Sequence, residues 1–204
     1  MCGEALLEEC EAKYLGVIIS NALTWSSHVA YVTKKASITL NFIRRNLKYC
    51  PRKTKEMAYF SLVHSTLDYS ASVWDPHLKN DRTKLEMINR RSARFVMNDY
   101  NNTSSVTTML NTLQWPSLET RREKQRLVLM YKIVHGLVAV PADKFIPADS
   151  RTKSNHWYKF KTISSSTSVY KNSFFPLTIP AWNSLSRTTV DCNTLDSFKG
   201  HLYK

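Results

Sequence analysis

The sequence predicts a mainly α protein: a helical bundle preceded by a short β segment and followed by a small irregular tail of mixed α and β character. Apolar residues recur at spacings of three and four between residues 24 and 137, the period of helices with one buried face. Glycine is scarce, at 4 residues in 204, which leaves few of the tight turns a β-rich fold needs. Apolar residues make up 43% and charged residues 22%, the balance of an ordinary globular chain long enough for a real core.

Residues 13–20, Lys-Tyr-Leu-Gly-Val-Ile-Ile-Ser, form a β-branched apolar run and read as a strand, buried on one face or at a hairpin. Thr24 opens the first long helix, near 25–49, with Val29, Val32, Ala36, Leu40, Ile43 and Leu47 on one face. Cys50-Pro51 stops it, because proline pushes the preceding residue out of the α region. Thr54 is the expected cap of a second helix, near 54–73, with Met57, Ala58, Leu62, Val63 and Leu67 inward. Asn80 or Asp81 caps a third, near 81–97, with Leu85, Ile88, Phe95 and Val96 apolar. A short helix, 106–113, follows the polar break at 99–105. Ser117 then caps a fourth long helix, near 117–136, with Leu118, Leu127, Met130, Ile133, Val134 and Leu137 inward and Gly136 at its end.

Beyond Pro141 the texture changes. Residues 138–155 read as a linker, and 150–180 are rich in Ser, Thr and aromatics. Val169–Ile179 reads as one or two short strands, 164–168 as an exposed loop, and 181–185 and 195–202 as short helices. There is no internal repeat.

Lys and Arg number 29 against 16 Asp and Glu, a net charge of +13. Residues 1–22 carry −3, residues 24–135 carry +11 and residues 136–204 carry +5, so the middle segment dominates the field. Nucleic acid is the first partner to expect from such a surplus. The cysteines, at 2, 10, 50 and 192, form no C-x-x-C, which points to free thiols in a reducing compartment. Four glutamates among the first eleven residues occupy the place of a signal peptide's apolar run, and no stretch approaches the length of a membrane span. The expectation is a soluble intracellular chain of the cytoplasm or nucleus.

Enzymatic signals are weak. The only adjacent acidic pair is Glu8-Glu9, and Asp68, Asp75, Asp81 and Asp99 stand singly near helix ends, the usual place of caps and surface charges. The six histidines form no metal-binding spacing, and there is no Walker lysine, dinucleotide fingerprint or nucleophile elbow. The basic residues are more informative: Lys34-Lys35, Arg44-Arg45, Arg90-Arg91-x-x-Arg94 and Arg121-Arg122-x-x-x-Arg126 all lie on helices with an apolar face. Arg90, Arg91 and Arg94 stay within about a third of the helix circumference. They read either as phosphate contacts or as a solvated face neutralised by Glu86 and its neighbours. Tyr and Trp at 25, 49, 59, 69, 74 and 115 are core at helical spacing, or base-stacking groups.

Taken in order, several segments resemble the end of a non-LTR retrotransposon reverse transcriptase of the jockey-like LINE kind. They are Tyr14-Leu15-Gly16-Val17, Thr24-Trp25-Ser26-Ser27-His28-Val29, Lys35-Ala36, Leu67-x-Tyr69-x-x-x-Val73-Trp74-x-Pro76, Leu85-Glu86-x-x-x-Arg90-Arg91-x-Ala93-Arg94-Phe95, Leu113-x-Trp115-x-x-Leu118-x-x-Arg121-Arg122, Tyr131-Lys132-Ile133 and Ser173-Phe174-Phe175-Pro176-x-Thr178-x-x-x-Trp182-Asn183-Ser184-Leu185. Each is weak alone; their order and spacing carry the resemblance, from about residue 13 to the end.

The resemblance implies a division of labour. Residues 1–22 would be a remnant of the polymerase palm with its primer-grip strand, 23–138 a helical thumb-like domain, and 139–204 the C-terminal segment. The family's catalytic aspartates lie upstream of the Tyr-Leu-Gly-Val strand, so the chain reads as a C-terminal fragment of an RNA-directed DNA polymerase and not an enzyme by itself. Its expected partners are RNA, DNA or an RNA–DNA hybrid held through phosphates by Lys34, Lys35, Arg44, Arg45, Arg90, Arg91 and Arg94. The resemblance sets Tyr14 and Gly16 near a primer end. No membrane, no small-molecule substrate and no cofactor are expected, although the complete polymerase would use Mg²⁺. The first strand would lack its palm partner and lie loose or pair weakly with residues 1–12. The alternative reading is an independent all-α interaction domain with no nucleic-acid role.

Overall fold

A computed structural model of the chain describes residues 9–141 and 159–203. Most of the expected 138–155 linker lies outside the described residues. The architecture is mainly helical with a small N-terminal antiparallel sheet. The chain divides into two compact units, Met1–Leu118 and Glu119–Lys204.

The first unit opens on a hairpin. β1 (Glu11–Tyr14) pairs with β2 (Val17–Ser20), from Glu11 opposite Ser20 to Tyr14 opposite Val17. The strand expected at 13–20 is therefore broken at its middle into a hairpin, and residues 17–20 pair with Glu11 and Ala12 of the preceding segment as well as with Lys13 and Tyr14. Leu15 (φ 45°) and Gly16 (φ 84°) both take positive φ, as a two-residue type I′ turn requires. Glycine adopts this freely, whereas leucine is strained there. The Leu15 carbonyl is held by the Tyr69 hydroxyl at 3.0 Å.

α1 (Ser26–Asn46) buries Val29, Val32, Ala36, Leu40 and Ile43 at the expected spacing, with Leu47 packed beside them. The next helical stretch differs from its expectation. It comprises α2 (Arg52–Ala58), a π-helical turn (Tyr59–His64) and α3 (Ser65–Asp68), and it starts directly after Pro51 rather than at a Thr54 cap. Its inward face is Lys55, Tyr59, Val63 and Leu67, while Met57 and Leu62 are exposed. A spacing of four drifts by about 40° per step on an α-helix. The wider π turn absorbs that drift and keeps the four residues in line. Tyr59 stacks on Trp115 with centroids 4.2 Å apart and donates to Asn89 Oδ1 at 3.0 Å.

α4 (Lys79–Met97) buries Leu85, Ile88, Phe95 and Val96 as expected. It ends on Asn98 in the left-handed region (φ 54°), with Asp99 N–H bonding Arg94 C=O and Asn98 N–H bonding Phe95 C=O, a Schellman closure. α5 (Val106–Leu113) starts at Ser105, whose hydroxyl accepts from Thr108 N–H.

In the second unit, α6 (Leu118–Val134) ends on the same closure around Gly136 (φ 65°). Val169–Ile179 is not strand: α7 (Ser168–Lys171) and α8 (Phe174–Asn183) occupy it. Thr167 caps the first by accepting from Tyr170 N–H. Pro176 sits in the first turn of α8, where its missing N–H costs nothing. Ile179 and Trp182 then share a core with Leu127, Met130, Tyr131 and Phe198. α9 (Arg187–Val190) and α10 (Leu195–Leu202) complete that core through Val190 and Phe198. Through this shared core α6 packs with the tail, and the compact units part at 118/119.

Candidate nucleic-acid interface

The residues expected to contact nucleic acid fall into three settings in the first unit, and the Arg121, Arg122 and Arg126 cluster lies in the second. The first is the hairpin tip. Tyr14 is exposed there, and Gly16 and Lys35 line one cavity of about 390 Å³ together with Lys13, Tyr31 and Tyr69. A side chain at Gly16 would meet the Tyr69 ring at 3.4 Å. Lys13 Nζ lies 4.8 Å from the centre of the Tyr31 ring.

The second setting is a basic cleft at the C-terminal end of α1. Arg44 and Arg45 line a cavity of about 740 Å³ with Lys48, Lys55, Asn98 and Tyr100. An adjoining cavity of about 490 Å³ shares Lys48, Lys55 and Asn98 and adds Arg52. No carboxylate lines either cavity. The Arg44 guanidinium sits 5.2 Å from the centre of the Tyr100 ring. Lys55 is only 4% exposed, and its ammonium donates to Asn98 Oδ1 at 3.3 Å.

Helical spacing extends this cleft. Lys34 shares an i, i+4, i+7, i+11 stripe of α1 with Ile38, Asn41 and Arg45, all three of which line the larger cavity. Arg91 lies four residues before Phe95 and seven before Asn98, on the same stripe of α4, and is exposed. Arg90 is exposed too but points about 100° further round α4.

The third setting is structural. Arg94 donates to the carbonyls of Asn101 at 2.9 Å and of Asp99 and Ser104 at 3.4 Å, clamping the loop after α4. Three of its five N–H donors are thereby engaged by the fold, which leaves fewer for a phosphate. Glu86 does not neutralise the arginines: it accepts from Asn89 Nδ2 and from Leu118 N–H, both at 3.0 Å. In the second unit, Arg122 and Arg126 are buried rather than solvent-facing, and both are engaged within the protein. Burial lowers the Arg126 guanidinium to about 10, which still leaves it charged at neutral pH.

Sequence reasoning missed Lys48, Arg52, Lys55, Asn98 and Tyr100. The legible signal was Lys55 at the head of the Lys55, Tyr59, Val63, Leu67 register, a cation in an apolar position. Of the aromatics, Tyr59, Trp74 and Trp115 are core, whereas Tyr49 and Tyr69 are exposed.

Two of the acidic groups have partners outside the cleft. Asp81 accepts from Ser26 at 2.6 Å and pairs with Lys84 at 3.2 Å, and Asp68 lies 3.6 Å from His64. Among the described residues no group of three His, Cys, Asp or Glu is placed to hold a metal ion. In the second unit Cys192 and His201 approach to 3.5 Å, the separation of a nucleophile–base pair. The thiol donates to the Thr188 carbonyl at 3.3 Å, and His201 Nδ1 lies 2.9 Å from the Ser197 carbonyl, a contact it makes only as a donor. That nitrogen therefore has no lone pair to take the thiol proton. No helix among the described residues is long and apolar enough to cross a membrane.

Comparison with family models, with curated proteins and with solved structures gives no match.

Proposed function

We propose that the chain is a nucleic-acid-binding module, the thumb-like C-terminal part of a non-LTR retrotransposon RNA-directed DNA polymerase, which holds RNA, DNA or their hybrid by backbone phosphates and performs no polymerisation itself. The observation that carries this reading is the cleft at the end of α1, where Arg44, Arg45, Lys48, Arg52 and Lys55 gather with no lining carboxylate. Like charges held together need an anion to offset their repulsion, and phosphate matches guanidinium geometry. The ordered sequence segments supply the family, and the hairpin turn at Leu15-Gly16 is compatible with a primer-grip role.

One observation favours a protein partner. Tyr31, Ile38 and Phe42 form an exposed apolar stripe on α1, with Ile38 62% and Phe42 56% exposed. Competition separates the readings. A labelled RNA–DNA hybrid should bind and resist displacement by polyglutamate at matched charge. Equal displacement by polyglutamate would make the surface a general acceptor of acidic chains. With template, primer, Mg²⁺ and nucleotides, the purified chain should extend nothing above a protein-free control.

A further inference from the structure

Lys55 is the unusual member of the basic cleft. Its side chain is 4% exposed, yet it lines both adjoining cavities. An ammonium has three donors. One goes to Asn98 Oδ1, and the Phe95 ring centre lies 5.4 Å away. Among the described residues no carboxylate pairs with it. Burying a cation without a counter-charge is costly, so this position selects for a ligand that supplies one. Asn98, with its oxygen taken by Lys55, keeps its amide N–H groups as further donors. Lys48 and Arg52 line the smaller cavity and Arg44 the larger.

We propose that this cleft seats a terminal phosphomonoester of a nucleotide, with Lys55 as its anchor and Asn98 as its second donor. This deepens the nucleic-acid reading above and rests on it. A terminal monoester carries close to two negative charges at neutral pH, whereas an internal diester carries one. It also has a free end that reaches a concave floor, while an internal phosphate is held off by the chain on both sides. The larger cavity, about 740 Å³, lies in the range of small-ligand sites and has room for the attached nucleoside beside Tyr100.

The test compares single-stranded oligonucleotides of one sequence carrying a 5′-phosphate, a 3′-phosphate or only hydroxyl ends, bound to the full chain at fixed salt. One or both phosphorylated strands should bind about tenfold more tightly than the hydroxyl strand, the gain expected of one further buried charge-assisted contact. Lys55→Met keeps the stem and removes the charge; it should abolish the difference between phosphorylated and hydroxyl strands, whatever binding all three strands lose in common. If that variant fails to fold, Asn98→Gly keeps the left-handed backbone and should reduce the preference severalfold. Equal binding of all three strands to the wild-type chain overturns the terminal-phosphate site while leaving backbone binding intact. Binding of adenosine monophosphate alone, with no strand bound, supports the site and overturns the nucleic-acid function.

Discussion

The two ends of α1 differ in composition and in use: Ser26, Ser27 and His28 open it, and Arg44 and Arg45 close it. At the N-terminal end the carboxylates are answered. Ser27 donates to Glu11, Ser26 donates to Asp81, Lys84 pairs with Asp81, and His28 Nδ1 accepts the Ile18 N–H at 3.2 Å. At the C-terminal end Arg44, Arg45 and Lys48 meet Lys55, and no acid lines the cavity they share. Arg44 and Arg45 also complement the helix dipole, which stabilises each by roughly 0.3–1 kcal/mol without using their forward donors. One end of the helix is a joint, and at the other cations face a cavity with no lining carboxylate.

This contrast fails first if the joint proves dispensable. Asp81 is buried beneath the Ser26 hydroxyl and a half-exposed Lys84. Asp81→Ala should cost about 3 kcal/mol in urea unfolding and leave the salt dependence of nucleic-acid binding unchanged. The converse change, Arg44→Gln with Arg45→Gln, should leave unfolding within roughly 1 kcal/mol and weaken hybrid binding roughly thirtyfold at low salt, with a log–log salt slope shallower by about 2. Arg94 sharpens the distinction, because it is basic and near the cleft yet spent on carbonyls. Arg94→Ala should lower stability by about 1–2 kcal/mol and should not alter the slope.

The smallest effect is a pH dependence at the joint. Burial lowers the pKa of His28, and Lys13 lowers it further. The folded state therefore binds fewer protons than the unfolded state as pH falls through and below the ordinary histidine value. Its contribution is present in full above that value and is lost on acidification. Stability measured by urea midpoint should fall between pH 7 and pH 5, and His28→Gln should flatten that fall. A variant with the same pH profile as the wild type would put the titration elsewhere.

The core of α1, α4 and α5 was legible because period and composition agreed: Val29 through Ile43 and Leu85 through Val96 are buried as their spacing demands. Residues 52–68 were misread because Met57 and Leu62 suited an unbroken α-helix, and the π turn that realigns Lys55 with Tyr59 has no simple sequence mark. The strands expected at 169–179 gave way to helices because Ile179 and Trp182 reach their core partners only at helical spacing. At the candidate site, charge clustering showed that cations mattered but not which were already spent. Arg94 and Arg91 look alike in the sequence. Only the loop carbonyls that return to Arg94 distinguish them.

The central claim is that the end of α1 is an unneutralised phosphate-binding surface. Its most direct measurement is the affinity of the full chain for an RNA–DNA hybrid across a salt series. The account predicts that log affinity falls linearly with log salt, with a slope of about −3 to −5 for the phosphates that Lys34, Arg44, Arg45, Lys48 and Arg91 would engage. A flat line, or no binding at low salt, would contradict it.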